Sequence, residues 1–142
     1  MTCKGASGAP DPARSIDRQT AIHVVAEHDS LRRSLVALLK AWGASPVAFK
    51  KGRGLLRSYR EDARRPDCMI VDTHGLDRTL TSFLSDLRRL EPAPPVLILH
   101  GSGRSLERDL AAVDQRNIAG LLKPYLSGEL YAAVRTLLEH RC

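Results

Sequence analysis

Continuous aliphatic runs alternate along this chain with stretches whose apolar residues recur at helical spacing. Residues 21–26 open the pattern with Ile22-His23-Val24-Val25, an apolar run of strand length. Leu31, Leu35, Leu38, Leu39 and Trp42 then recur three to four apart and predict a helix that Gly43 stops. Pro46-Val47-Ala48-Phe49 predicts a short second strand, and Leu55, Leu56 and Tyr59 a second helix. Residues 67–72 form a third strand. Leu80, Phe83, Leu84, Leu87 and Leu90 line a third helix that ends before Pro92. Residues 95–100 are a fourth strand, closed by Gly101 and Gly103. Leu106, Leu110 and Val113 predict a fourth helix, Ile118 to Leu122 a fifth strand, and Leu130, Ala133, Val134, Leu137 and Leu138 a last helix.

Strand and helix thus alternate five times. The strand runs are continuous rather than alternating, which means both faces are covered, as in a parallel sheet flanked by helices. Right-handed crossovers make this a doubly wound α/β domain. The flavodoxin-like (βα)5 arrangement, strand order 2-1-3-4-5, is the expected fold. Residues 1–19 are rich in Gly, Ala, Pro, Asp and Ser and read as a disordered tail or linker before a domain at 20–142. That lead-in has no apolar core of a secretory signal, and no run of about 18 apolar residues suits a membrane span.

Composition refines the picture only modestly. The chain has 142 residues, 43% hydrophobic and 4% aromatic, which suits one aliphatic core. Cys3, Cys68 and Cys142 are scattered and odd in number, so no disulfide framework is expected, and a cytoplasmic setting is. The net charge of +6 comes largely from arginine. Without interleaved aromatics this reads as a solvated surface rather than a nucleic-acid site. Arg57, Arg60 and Arg64 are spaced to share a face of the second helix, where an acidic protein could dock.

The chemistry gathers at strand ends. Asp72 closes the third strand, Ala26-Glu27-His28-Asp29 follows the first, His100 closes the fourth and Lys123-Pro124 follows the fifth. In a parallel sheet these positions share the carboxyl edge, where ligands bind. The turn after the first strand has no glycine loop for phosphates, which counts against a nucleotide site. Glu27, His28, Asp72, His74 and His100 would also be donors of a kind that transition metals take, if the fold converged them.

These features together resemble the receiver domain of bacterial two-component response regulators, of the CheY-like superfamily, over roughly residues 20–140. Ser34-Leu35, Leu38-Leu39 and Trp42-Gly43 add to the likeness, and the Trp-Gly ending is similar to receivers of hybrid sensor histidine kinases. The resemblance implies a phosphorelay domain in which Asp72 accepts a phosphoryl group from a histidine kinase or histidine phosphotransfer protein. It implies Mg2+ held by Glu27, Asp72 and the backbone carbonyl of His74. Lys123 would contact the phosphoryl oxygens, and His100 stands where the family has a Ser or Thr, with Ser102 two residues on. The downstream protein surface would lie within 104–138, including Leu106 to Asp114 and Tyr131. Lys123-Pro124 would be cis.

The chain departs from that pattern at several positions. The first residue of the acidic pair is Ala26. The aromatic switch position is Gly120, and the usual Met-Pro after the aspartate is Gly75-Leu76. Asp29 could replace the missing carboxylate only with a shift of its loop. Two readings therefore stay open: a phosphorylated receiver, with chemistry limited to phosphoryl acceptance and autodephosphorylation at Asp72, and a phosphorylation-independent pseudo-receiver that acts as a protein-interaction module. A small flavodoxin-like ligand-binding or enzyme domain is a third, with no phosphate loop or catalytic triad pattern to support it.

Overall fold

A computed structural model describes residues 16–17, 19–101, 106, 108, 110 and 117–139. Five parallel strands form one sheet: β1 (Ala21–Val25), β2 (Ser45–Phe49), β3 (Cys68–Asp72), β4 (Val96–His100) and β5 (Ile118–Leu122). Their order is β2-β1-β3-β4-β5, the flavodoxin-like order expected from the sequence. The helices, numbered along the chain, are α1 (Asp29–Ala41), α2 (Gly52–Arg60), α3 (Leu80–Arg89) and α4 (Ser127–Glu139). Between β4 and β5, Leu106, Arg108 and Leu110 are helical. The rest of the fourth helix expected there, with Ser102, lies outside the described residues, as do Cys3, Cys142 and residues 1–15.

Strand alternation sorts the core into two layers. Ile22 and Val24 of β1, Cys68 and Ile70 of β3, and Leu97 and Leu99 of β4 face Leu35 and Leu39 of α1 and Leu130, Val134, Leu137 and Leu138 of α4. Val25, Met69, Val71, Val96 and Ile98 face the other way, onto Leu55, Leu56 and Tyr59 of α2 and Phe83, Leu84 and Leu87 of α3. β3 and β4 are buried along their whole length, whereas the edge strands β2 and β5 are only partly covered. An edge position also accommodates Pro46, which has no N–H to give a ladder.

Helix ends follow local chemistry. α1 stops at Gly43, which takes φ +92° while Ala44 N–H bonds the Leu39 carbonyl at 3.0 Å, a left-handed glycine closure. The Thr79 side chain caps α3 by accepting from Ser82 N–H at 3.1 Å. Glu129 reaches back to Leu126 N–H at 2.8 Å, half of a capping box on α4. α2 ends at Arg60, and Asp62 turns the chain at φ +63°. Arg64 therefore lies in the following loop rather than on a helical face with Arg57 and Arg60, a correction to the spacing argument: the left-handed residue breaks the helix one turn early.

Candidate functional site at the carboxyl edge of the sheet

Asp72 ends β3 with only 1% of its surface exposed. Its Oδ1 accepts two hydrogen bonds, from Lys123 Nζ at 2.7 Å and from His74 N–H at 2.8 Å. Its Oδ2 is buried and has no hydrogen-bond donor among the described residues. One carboxylate oxygen is therefore fixed and the other is left free. Lys123 is itself set by the sheet: its N–H bonds the His100 carbonyl at 2.8 Å, continuing the β4–β5 ladder, and the Lys123–Pro124 peptide is cis. Thr73 N–H bonds the Leu99 carbonyl at 3.1 Å, so the turn after Asp72 is also tied to β4.

Glu27 follows β1 by two residues. Its Oε2 lies 3.0 Å from Lys51 Nζ, an ion pair. That contact is a charge pair rather than an aligned hydrogen bond, because Oε2 has no hydrogen-bond donor. Gly75, at φ +78°, packs directly on the Glu27 stem: a Cβ there would sit 2.8 Å from Glu27 Cβ and 2.9 Å from Cγ. Only glycine permits both that backbone conformation and that approach.

The remaining acidic candidate is turned away. Asp29 bonds Arg32 at 2.7 Å in the first turn of α1, and that guanidinium, with Lys50 beyond it, holds the Asp29 carboxyl below its usual range. Arg32 also donates to the carbonyls of Ala26 at 3.0 Å and Glu27 at 3.2 Å, which fixes the turn after β1. Ala26 is fully buried in the core. His28 and His74 stack at 4.6 Å on the rim. Among the described residues no three His, Cys, Asp or Glu side chains converge as metal donors. The transition-metal grouping suggested by the sequence is thus not formed: two of its histidines spend their faces on each other.

His100 is 8% exposed, and its Nδ1 is buried without a partner among the described residues. It shares strand alternation with Val96 and Ile98, whereas Asp72 shares it with Cys68 and Ile70. The imidazole lies against β5, where a Cβ on Gly120 would come 3.0 Å from His100 Nε2 and 2.5 Å from Leu106 Cδ2. Leu106 and His100 thus fill the space that an aromatic at position 120 would need.

Several contributors were not legible beforehand. Lys51 read as part of a solvated charge cluster. Asp77 caps α2 from the β3–α3 loop, accepting from Gly52 N–H at 2.9 Å and Arg53 N–H at 3.4 Å. Tyr125 is half-buried, and burial, with the Asp72 charge as a lesser cause, pushes its phenol up from its ordinary value. No spacing rule brings these residues to the edge; only the sheet order does.

The likeness to known proteins agrees with this geometry. No model of a protein family matches the chain. The KDP operon transcriptional regulatory protein KdpE of Escherichia coli is 36% identical over 122 residues, covering 84% of this chain and 52% of that protein. Nodulation protein W of Bradyrhizobium diazoefficiens is 28% identical over 118 residues, covering 83% and 51%. The chain thus spans about half the length of these curated relatives. Among solved structures, a response regulator receiver domain protein from Clostridium thermocellum superposes with a TM-score of 0.70 at 21% identity, covering 84% of this chain and 94% of that one. The receiver domain of the hybrid histidine kinase CckA gives 0.64 at 24% identity, covering 83% and 98%. Strand order, the Asp72–Lys123 pair and these similarities agree on one conclusion: the chain has the fold of response-regulator receiver domains and is similar in sequence to about half of each of two curated regulatory proteins.

Proposed function

We propose that Asp72 is a phosphoacceptor in a two-component phosphorelay, taking its phosphoryl group from the phosphohistidine of a kinase or phosphotransfer protein. The observation that carries this reading is the division of labour on one buried carboxylate. Oδ1 is held by an ammonium and an amide, and Oδ2 has no donor among the described residues. Oδ2 attacks phosphorus, the new O–P bond forms and the donor N–P bond breaks. The electron pair leaves on the imidazole, which is then protonated. Charge developing on the equatorial oxygens needs cations, and Lys123 stands beside the reacting carboxylate to supply one.

Receiver domains pair this chemistry with Mg2+, and the residues of this chain fit a reduced version of that site. Asp72 Oδ2 is a buried oxygen with no donor among the described residues, and Glu27 Oε2 is a buried oxygen whose one close partner there is the Lys51 charge; both are the hard ligands such an ion takes. Glu27, Asp72 and the His74 carbonyl would hold it, and it would neutralise phosphoryl charge. Acetyl phosphate with Mg2+ provides the test. One phosphoryl adduct by intact mass on the wild type, and none on Asp72→Asn, is the expected result; a wild type that stays unmodified refutes the proposal.

Ala26 favours a second reading. The first acidic position is an alanine sealed in the core, and His100 and Gly120 replace the hydroxyl and the aromatic that couple phosphorylation to movement. On this reading the domain is a phosphorylation-independent interaction module, and protein contacts at 104–138 are indifferent to Asp72→Asn. The same acetyl phosphate experiment separates the two.

A further inference from the structure

We propose that Lys51 is a tethered cation that occupies Glu27 in place of a divalent metal and thereby sets the metal affinity of the site. The inference rests on reading Glu27 as the surviving carboxylate of the metal pair. It deepens that reading by naming the residue that competes with the ion.

Three observations converge. Lys51 Nζ lies 3.0 Å from Glu27 Oε2, the only side-chain carboxylate after β1 that remains turned to the site, since Ala26 has none and Asp29 is paired with Arg32. Gly75 packs closely on the Glu27 stem at Cβ and Cγ, which restricts where that side chain can go. And Lys51 stands at the N-cap of α2 with extended backbone, a position whose usual residues accept a hydrogen bond from the helix. Lysine has no acceptor, and its side chain makes no cap here. Asp77 performs the capping from another loop. The lysine is thus unsuited to its local position and is directed instead at the one carboxylate that needs a cation, which is the kind of local conflict expected at functional positions.

The charges then balance without a metal. Asp72 faces Lys123 and Glu27 faces Lys51, two carboxylates against two ammonium groups. An entering divalent ion must displace Lys51 from Glu27 and meet its positive charge. A unit charge within about 4–6 Å changes a carboxylate's proton affinity by roughly one to three log units. Removing this one should tighten divalent binding by about tenfold or more, a free energy of about 1.4 kcal/mol per decade.

The test is a Mn2+ titration of the full chain, read by paramagnetic broadening of the amides of residues 26–29 and 72–75, with Mg2+ competition. No phosphoryl donor is present, so the result stands whether or not Asp72 is ever phosphorylated. Lys51→Met should lower the midpoint about tenfold relative to wild type. Lys51→Arg, which restores the charge, should return it to the wild-type value, and Glu27→Gln in the Lys51→Met background should abolish the gain. An unchanged or higher midpoint in Lys51→Met, or equal midpoints for Lys51→Met and Lys51→Arg, overturns the proposal. Lys51→Gln is the second neutral variant should Lys51→Met lose its native amide dispersion.

Discussion

Truncating Asp77 to alanine should loosen two elements at once. Its carboxylate joins the loop after β3 to the N-terminus of α2, where Gly52 and Arg53 present N–H groups with no acceptor from their own N-cap. Loss of a side-chain cap costs about 1 kcal/mol. Loss of a negative charge at a helix N-terminus adds about 0.5 kcal/mol. The contact with Arg53 at 3.9 Å adds nothing to the sum, because that arginine is 76% exposed. Asp77→Ala should therefore lower stability by about 1.5 kcal/mol, a fall in melting temperature of about 3–6 °C for a domain of this size. Asp77→Asn keeps an acceptor oxygen and loses only the charge, so it should cost about a third as much. Urea titration followed by Trp42 fluorescence measures both, and amide exchange should accelerate at Gly52 and Arg53 in the alanine variant. Equal costs for the two variants, or a change under about 0.5 kcal/mol for alanine, would show that solvent caps α2 and that the loop is held by other contacts.

Other perturbations test the remaining parts of the argument. His23 lies buried in β1, 2.9 Å from the Tyr59 hydroxyl, and burial, reinforced by the Arg65 charge, lowers its pKa below 6.5. The unfolded chain then binds more protons in the window just below pH 6.5, so stability is full above that pH and falls on acidification through the folded pKa; urea midpoints should drop more steeply there for wild type than for His23→Leu, and matching slopes would be contrary to the reasoning. Gly75→Ala combines φ +78° with a 2.8 Å approach to Glu27, so it should destabilise by about 2–3 kcal/mol in a thermal melt, and a wild-type melting temperature would show that the loop relaxes freely. Breaking the Asp72–Lys123 pair should be asymmetric. Lys123→Met strands a carboxylate with 1% exposure and should cost about 2 kcal/mol, below the 3–5 of a wholly buried pair because the lysine side chain is 28% exposed. Asp72→Asn leaves a lysine that can reach water and should cost less, so equal losses in urea would contradict the burial argument.

The alternation of aliphatic runs with helical-period stretches was enough to determine the element order, the covered central strands and, through crossover handedness, a sheet whose carboxyl edge collects Asp72, His100 and Lys123. Strand ends are readable because side-chain period and strand length are local properties. The partners of those residues are not local. The ion pair of Lys51 with Glu27, the cap from Asp77 to α2 and the filling of the Gly120 space by Leu106 and His100 each join segments that meet only once the five strands are ordered in the sheet. In sequence, Lys51 is one member of a basic cluster, and Gly120 is a missing aromatic. Side-chain direction also decided what composition left open: the histidines near the edge stack or turn to β5 instead of converging, and one left-handed residue, Asp62, removes Arg64 from the face of α2. The pattern of apolar positions is a one-dimensional record of burial. Charge pairing at the site depends on three-dimensional proximity, and that is what the tertiary structure alone decided.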